Sequence, residues 1–238
     1  FYRAENGHAI GYFWGYKTAG LFQNQKEIND WIAAGNGIYQ ADVKPGDVKY
    51  VDVNHDGVIN ASDKVDLGNG LPKYTFGFNV NLAWKGFDLS ANFTGAAGFQ
   101  IAQSYRDPSS SQANYSRRIL KRWTGEGTSN EIPRVTYGDV GNWLFSDLYL
   151  QDGDYIRLQN LTMGYDFKKL ISWKGLSKMR LYFQVQNLFT LTKYDGMDPE
   201  IGSFNGTDGN SSDSWVSGVD MGYYPHPRTF IVGLNLAF

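Results

Sequence analysis

Between residues 52 and 63 the chain reads Asp-Val-Asn-His-Asp-Gly-Val-Ile-Asn-Ala-Ser-Asp, which places the oxygen side chains of Asp52, Asn54, Asp56, Asn60 and Asp63 at loop positions 1, 3, 5, 9 and 12. Alternate side chains of a coiled loop converge on one point, and a cage of hard oxygens suits a calcium ion. This is the spacing of an EF-hand or dockerin-type calcium loop. Val58 at position 7 offers its carbonyl, and Gly57 at position 6 permits the sharp turn. The last ligand departs from the pattern, because the shorter Asp63 stands where a bidentate Glu is usual, and Asn54 and Asn60 are neutral. An Asx-rich turn held by hydrogen bonds alone is the competing reading. A structural Ca2+ is expected, held by Asp52, Asn54, Asp56, Val58, Asn60 and Asp63. It braces its own loop, since the motif closes on itself and consumes its ligands.

Elsewhere the residue types that do chemistry are poorly spaced for it. His8, His55 and His226 are the only histidines, and none has metal-ligand or nucleophile-base spacing. No G-x-S-x-G, H-E-x-x-H or P-loop pattern occurs. The acid pairs Asp152 with Asp154 and Asp198 with Glu200 do not imply two carboxylates facing across a cleft, as glycoside hydrolysis requires. Asp198-Pro199-Glu200 reads instead as a rigid loop entry. No catalytic residue is assigned, and the chain is not expected to be an enzyme. A net charge of −2 and a pI near 5.9 offer no basic patch for nucleic acid. The one cationic cluster, Arg117, Arg118, Lys121 and Arg122, reads as a solvated face, with an acidic partner as the sharper alternative.

The elements that must position the loop are strands. In the last eleven residues Phe230, Val232, Leu234, Leu236 and Phe238 fall on one face, against Thr229, Gly233, Asn235 and Ala237 on the other, and only Ile231 spoils the pattern. The same alternation sets Tyr74, Phe76, Phe78, Val80, Leu82 and Trp84 against Thr75, Gly77, Asn79, Asn81 and Ala83. Lys85-Gly86 then turns the chain into Phe87, Leu89, Ala91 and Phe93, so the two runs form a hairpin. Two further runs, around 154–168 and 179–192, share the design, with Asn187 a polar intruder. Apolar and small-or-polar faces of this kind suit a lipid-facing wall around a wet lumen, and a terminal aromatic after such a strand suits an outer-membrane barrel. Mean hydropathy of −0.42 does not conflict, because no apolar run approaches the ~20 residues of a membrane helix. Cysteine is absent, which fits an oxidising setting but discriminates little.

The expected fold is therefore all-β, with strands at about 73–84, 86–98, 154–168, 179–192 and 228–238 of an antiparallel transmembrane barrel. Five such strands cannot close, since the smallest membrane barrels need about eight, so the remainder is expected from an N-terminal part of the same polypeptide. Long connections at 99–148 and 193–225 lie on one side and short turns on the other. With short turns periplasmic, the C-terminus is periplasmic, the long loops are extracellular, and residues 1–72 form an outer segment carrying the calcium loop. Trp143, Phe145, Trp215, Tyr223 and Tyr224 in these loops offer flat apolar faces for a sugar, a peptide or a partner, or build a small loop core. The alternative to all of this is a soluble, calcium-stabilised β-sandwich that binds carbohydrate, which requires the row Phe76, Phe78, Leu82 and Trp84 to be buried on a second sheet.

The order of several short motifs resembles one family along the whole chain. They run Gly11-Tyr12-Phe13-Trp14-Gly15-Tyr16-Lys17, Gly20-Leu21-Phe22-Gln23-Asn24, Pro45-Gly46-Asp47-Val48-Lys49-Tyr50, the 52–63 loop, Leu67-Gly68-Asn69 and Tyr74-Thr75-Phe76-Gly77-Phe78. Gly153-Asp154-Tyr155-Ile156-Arg157-Leu158-Gln159-Asn160-Leu161-Thr162, Val185-Gln186-Asn187-Leu188-Phe189-Thr190, Asp198-Pro199-Glu200, Tyr224-Pro225 and Pro227-Arg228-Thr229-Phe230 follow. This series resembles the SusC/RagA-like TonB-dependent transporters of Bacteroidetes outer membranes. The resemblance implies a 22-stranded barrel with an N-terminal plug, of which this chain supplies the last strands. It also implies a SusD-like surface lipoprotein as lid, energy from TonB–ExbB–ExbD, and import of glycans or peptides across the outer membrane. The plug and TonB box lie outside these residues.

Overall fold

Strict alternation of large apolar and small or polar side chains leaves a strand only one way to face, and the longest elements follow that rule. The computed structural model describes residues 2–104, 116–136, 141–171, 173–202 and 217–238. Among them the strands are β1 (Tyr2–Arg3), β2 (Tyr12–Tyr16), β3 (Thr18–Leu21), β4 (Val48–Tyr50), β5 (Lys64–Asn69), β6 (Tyr74–Trp84), β7 (Phe87–Ala97), β8 (Gln100–Gln103), β9 (Leu150–Asp152), β10 (Tyr155–Asp166), β11 (Lys178–Thr192), β12 (Val219–Asp220) and β13 (Thr229–Ala237). One α-helix, α1 (Gln25–Ala33), stands among them. The chain divides into two compact units, residues 71–99, 152–201 and 223–238 in one, and residues up to 70, 100–151 and 202–222 in the other.

The first unit is a five-stranded antiparallel sheet in the order β13-β11-β10-β7-β6. Register fixes its faces. Phe78 pairs with Phe93, Leu82 with Leu89, Met163 with both Leu89 and Phe183, and Phe183 with Val232, so these side chains form one continuous apolar face. Asn79 and Asn92, Asn81 and Ser90, and Thr162 and Gln184 share the other face. Every residue of β6 is exposed, and Phe230, Val232, Leu234 and Leu236 on β13 are exposed as well. Among the described residues no second sheet covers the row that a soluble sandwich would have to bury, so that alternative fails on the fold. The two outer strands leave their ladder groups without a partner strand among the described residues.

Two irregularities interrupt the ladder at one level. Gln159 is an extra residue on β10, and Asn187 and Leu188 lie together on β11 between the pairs Leu158–Phe189 and Asn160–Gln186. This is a β-bulge, and the polar intruder explains it: Asn187 has φ 52°, the left-handed region that asparagine tolerates and a β-branched residue does not. Its amide donates to the Pro227 carbonyl at 3.1 Å, which ties the bulge to the entry of β13.

The second unit is built from short strands and loops. β2 pairs with β1 and β5, β3 with β4, and β8 with β9 and, in parallel, with β12. Its apolar interior comes from aromatic-rich segments: Tyr16, Leu21, Val48, Tyr50 and Ile59 form one cluster, and Phe13, Ala102 and Val219 another. The α1 helix starts where Asn24 accepts the Glu27 N–H at 2.9 Å, and it turns Ile28 inward. The buried Asp47 carboxylate is fully engaged. It accepts Arg134 Nε at 2.6 Å and Nη2 at 3.0 Å, the Asn142 amide at 2.9 Å and the Lys44 N–H at 2.8 Å.

Candidate functional site

The 52–63 loop is coiled as its side chains require. Gly57 has φ +82°, and a Cβ there would meet only the Gly35 carbonyl oxygen at an ordinary 3.9 Å, so its conformation and not crowding demands glycine; His55, two residues before it, has φ 59°. The Asp52 carboxylate accepts the Gly57 N–H at 2.7 Å and the Asp56 N–H at 3.3 Å. Asn54 Oδ1 accepts the Asp56 N–H at 3.0 Å, and Asp56 accepts the Val58 N–H at 2.9 Å and the Asn54 amide at 2.9 Å. The Asn54 amide, then the Val58 N–H, hold the Asp56 carboxyl below its ordinary range. Asp63 is fully buried as the last residue of the 3-10 turn Ala61–Asp63, where its oxygens accept the Val53 N–H at 2.9 Å and the Asn60 N–H at 2.8 Å.

These residues fit a calcium ion on two counts. All six offer oxygen, and none of Asp52, Asp56 and Asp63 pairs with a basic side chain among the described residues, although Asp52 and Asp63 are buried. Buried carboxylates without a cation are costly. Asp52, Asn54, Asp56, Asn60, Asp63 and the Val58 carbonyl are the groups that would hold the ion, and its chemistry would be electrostatic bracing alone.

The loop aromatics fall in different settings. Phe145 packs against Phe13 with ring centroids 6.0 Å apart, and its carbonyl accepts the Tyr16 N–H, so its face is spent on the loop core. Trp143 is half-buried in a 3-10 turn. Tyr224 is 88% exposed and Tyr223 partly so. Trp215 lies outside the described residues.

A cluster that sequence spacing did not reveal lies at the start of β10. Arg157 is buried, and its guanidinium donates from Nε to Thr190 Oγ1 at 3.0 Å, from Nη1 to Glu200 at 2.9 Å and from Nη2 to Asp198. Asp198, also buried, further accepts the Glu200 N–H at 2.9 Å and the His226 N–H at 3.1 Å, with the His226 ring at 3.0 Å. Burial acts to raise the Asp198 carboxyl, but those N–H groups, the His226 ring and the Arg157 charge outweigh it and hold the carboxyl below its usual range. Asp198, Glu200 and His226 lie close enough for a shared metal ion. Yet the four partners of Asp198 take up its roughly four lone-pair sites, and Arg157 already supplies the positive charge. Only the acid-rich Asp198-Pro199-Glu200 run hinted at it, and nothing local connects that run to Arg157 or His226.

An antiparallel sheet with one continuous apolar face exposed and the other polar is a wall of a β-barrel. No family model matches the chain. The chain is 34% identical over 234 residues to TonB-dependent receptor P3 of Formosa agariphila, covering 98% of this chain and 22% of that protein. It is 29% identical over 205 residues to TonB-dependent receptor SusC of Bacteroides thetaiotaomicron, covering 84% of this chain and 18% of that one. A solved structure of the RagAB peptide transporter superposes with a TM-score of 0.65 at 20% identity, over 100% of this chain and 24% of that one. The chain thus spans about a fifth to a quarter of these proteins' length. Over that stretch the chain is a homologue of TonB-dependent receptors, and its five-stranded sheet is a piece of barrel wall of the SusC/RagA-like kind. The relatives are named as receptors and transporters, not as enzymes.

Proposed function

We propose that the protein is a nutrient importer of the outer membrane, in which this chain supplies a stretch of barrel wall together with outer loops. The observation that carries the reading is the exposed apolar row of β6 and β13 backed by a polar row, which only a lipid phase on one side and water on the other satisfies. In this reading the loops at 99–148 and 193–225 and residues 1–72 are extracellular, and the C-terminus is periplasmic. The cargo is an oligosaccharide or a peptide. A SusD-like surface lipoprotein closes over the cavity, and TonB–ExbB–ExbD supplies energy through parts of the protein outside these residues. Support for the partner and the cargo comes from the naming of relatives as SusC and of fold neighbours as a peptide transporter. The exposed ring of Tyr224 is the aromatic face best placed to meet cargo or lid, followed by Tyr223 and Trp143.

In the same reading Ca2+ in the 52–63 loop stiffens the outer segment. Asp52→Ala with Asp56→Ala is expected to expose residues 40–72 to protease while the barrel stays intact; identical cleavage in wild type with and without chelator contradicts the ion. The importer itself is tested by extracting the full-length protein from outer membranes in detergent, purifying it through a tag and identifying by mass spectrometry what accompanies it. A stoichiometric surface lipoprotein is the expected result. Recovery in the soluble fraction with no partner overturns the reading.

A further inference from the structure

We propose that Arg157 is a positioning residue that fastens both ends of the 193–227 connection to the barrel wall. Three of its donors go to three different places: Nε to Thr190 on β11, Nη1 to Glu200 and Nη2 to Asp198. Asp198 then holds the far end of the same connection through the N–H and ring of His226, three residues before β13. One guanidinium on β10 therefore joins two strands, the segment leaving β11 and the segment entering β13. The Asn187 amide on the Pro227 carbonyl secures that second segment again.

Burial makes the fastening directional. The Arg157 and Asp198 side chains are buried, at 3% and 7% exposure, whereas Glu200 and His226 are about half exposed, at 50% and 49%. The inner pair is withdrawn from water, where an ion pair is screened least, and the outer pair caps it. Tyr223 and Tyr224 lie two or three residues from His226, so the fastening sets where these exposed rings stand. A lysine in place of Arg157 cannot serve the three acceptors, because its single ammonium lacks the planar fork.

The test uses the full-length protein in detergent and rests on the barrel wall, not on any cargo. Hydrogen exchange is followed in 193–202 and 217–227, with heat-modifiable migration reporting the barrel. Arg157→Lys and Asp198→Asn are expected to speed exchange in both segments by about tenfold or more with the barrel still folded. Should an Arg157 variant fail to assemble, Glu200→Gln with His226→Ala, both half exposed, decides the matter through a smaller acceleration in the same two segments. The proposal is overturned if exchange in either segment is unchanged in the assembled variants, or if only the segment adjoining the substitution loosens.

Discussion

Individual side chains here are constrained by what passes over them. Arg180 reaches from β11 across β10 to Asp88 on β7, with Nε at 2.8 Å and Nη2 at 2.5 Å from its oxygens, and the residue it crosses is Gly164. A Cβ at Gly164 would lie 2.6 Å from both Arg180 and Asp88. Gly164→Ala is therefore expected to dislodge the pair and cost about 1–3 kcal/mol, read as a lower temperature for loss of heat-modifiable migration; an unchanged transition would contradict the crossing. Gly57→Ala tests conformation alone, with a cost of about 1–2 kcal/mol to the loop for forcing a Cβ into the left-handed region. Asp198 sets a pH dependence. It faces Arg157 and Tyr155 on β10, Glu200 on its own segment and His226 before β13. Because its folded carboxyl sits below the ordinary value of 3.8, it contributes stability that is present above that value and lost as pH falls through the lower, folded one. Exchange in 193–202 and 217–227, corrected at each pH for the intrinsic amide rate, should therefore accelerate below about pH 4 in wild type. Asp198→Asn should flatten that rise, and a rise that persists in the variant would assign it elsewhere.

At the level of elements, period-2 alternation was enough to read the wall, because a strand with lipid on one side and water on the other cannot hide its pattern. The exceptions were readable only as anomalies. Asn187 broke the apolar run, and its meaning as the left-handed residue of a bulge needed the register of β10 and β11. Asn187→Gly is expected to be tolerated, whereas Asn187→Val should cost about 1–2 kcal/mol by forcing a β-branched residue to positive φ. Equal stability of the two variants would remove the bulge from the account. The Arg157 cluster escaped sequence reading for a different reason: its members stand 33, 41, 43 and 28 residues apart in pairwise contact, and no local spacing encodes that. The short strands of the loop unit were equally hidden. Segments such as Thr18–Leu21 and Val48–Tyr50 are too brief to show a period, and their pairing is set by the core formed by Tyr16, Leu21, Val48 and Tyr50. The calcium spacing stood out because oxygen donors must recur at fixed offsets, whereas Phe145 gave no sign that its ring serves the core and not a ligand.

At the scale of the whole molecule, a barrel wall sets one face of the five-stranded sheet against lipid and the other against water. A charge on the apolar row should then hinder assembly: Phe78→Arg is expected to cost about 2–4 kcal/mol if that position lies near the bilayer midplane, seen as less heat-modifiable protein in the outer membrane. Such a loss is also what a protein core would show, so it does not locate the solvent on each face. The chain has no cysteine, which allows a more direct measurement. Single cysteines placed in turn at residues 75 to 82 of the full-length protein, with any outside this chain replaced, are spin-labelled in outer-membrane vesicles. Their relaxation is then compared with oxygen, which partitions into lipid, and with a water-soluble nickel chelate. Strict alternation is expected, with labels at Phe76, Phe78, Val80 and Leu82 favouring oxygen and those at Thr75, Gly77, Asn79 and Asn81 favouring the chelate. Two rows with equal exposure to both reagents, or an apolar row reached by neither, would contradict it.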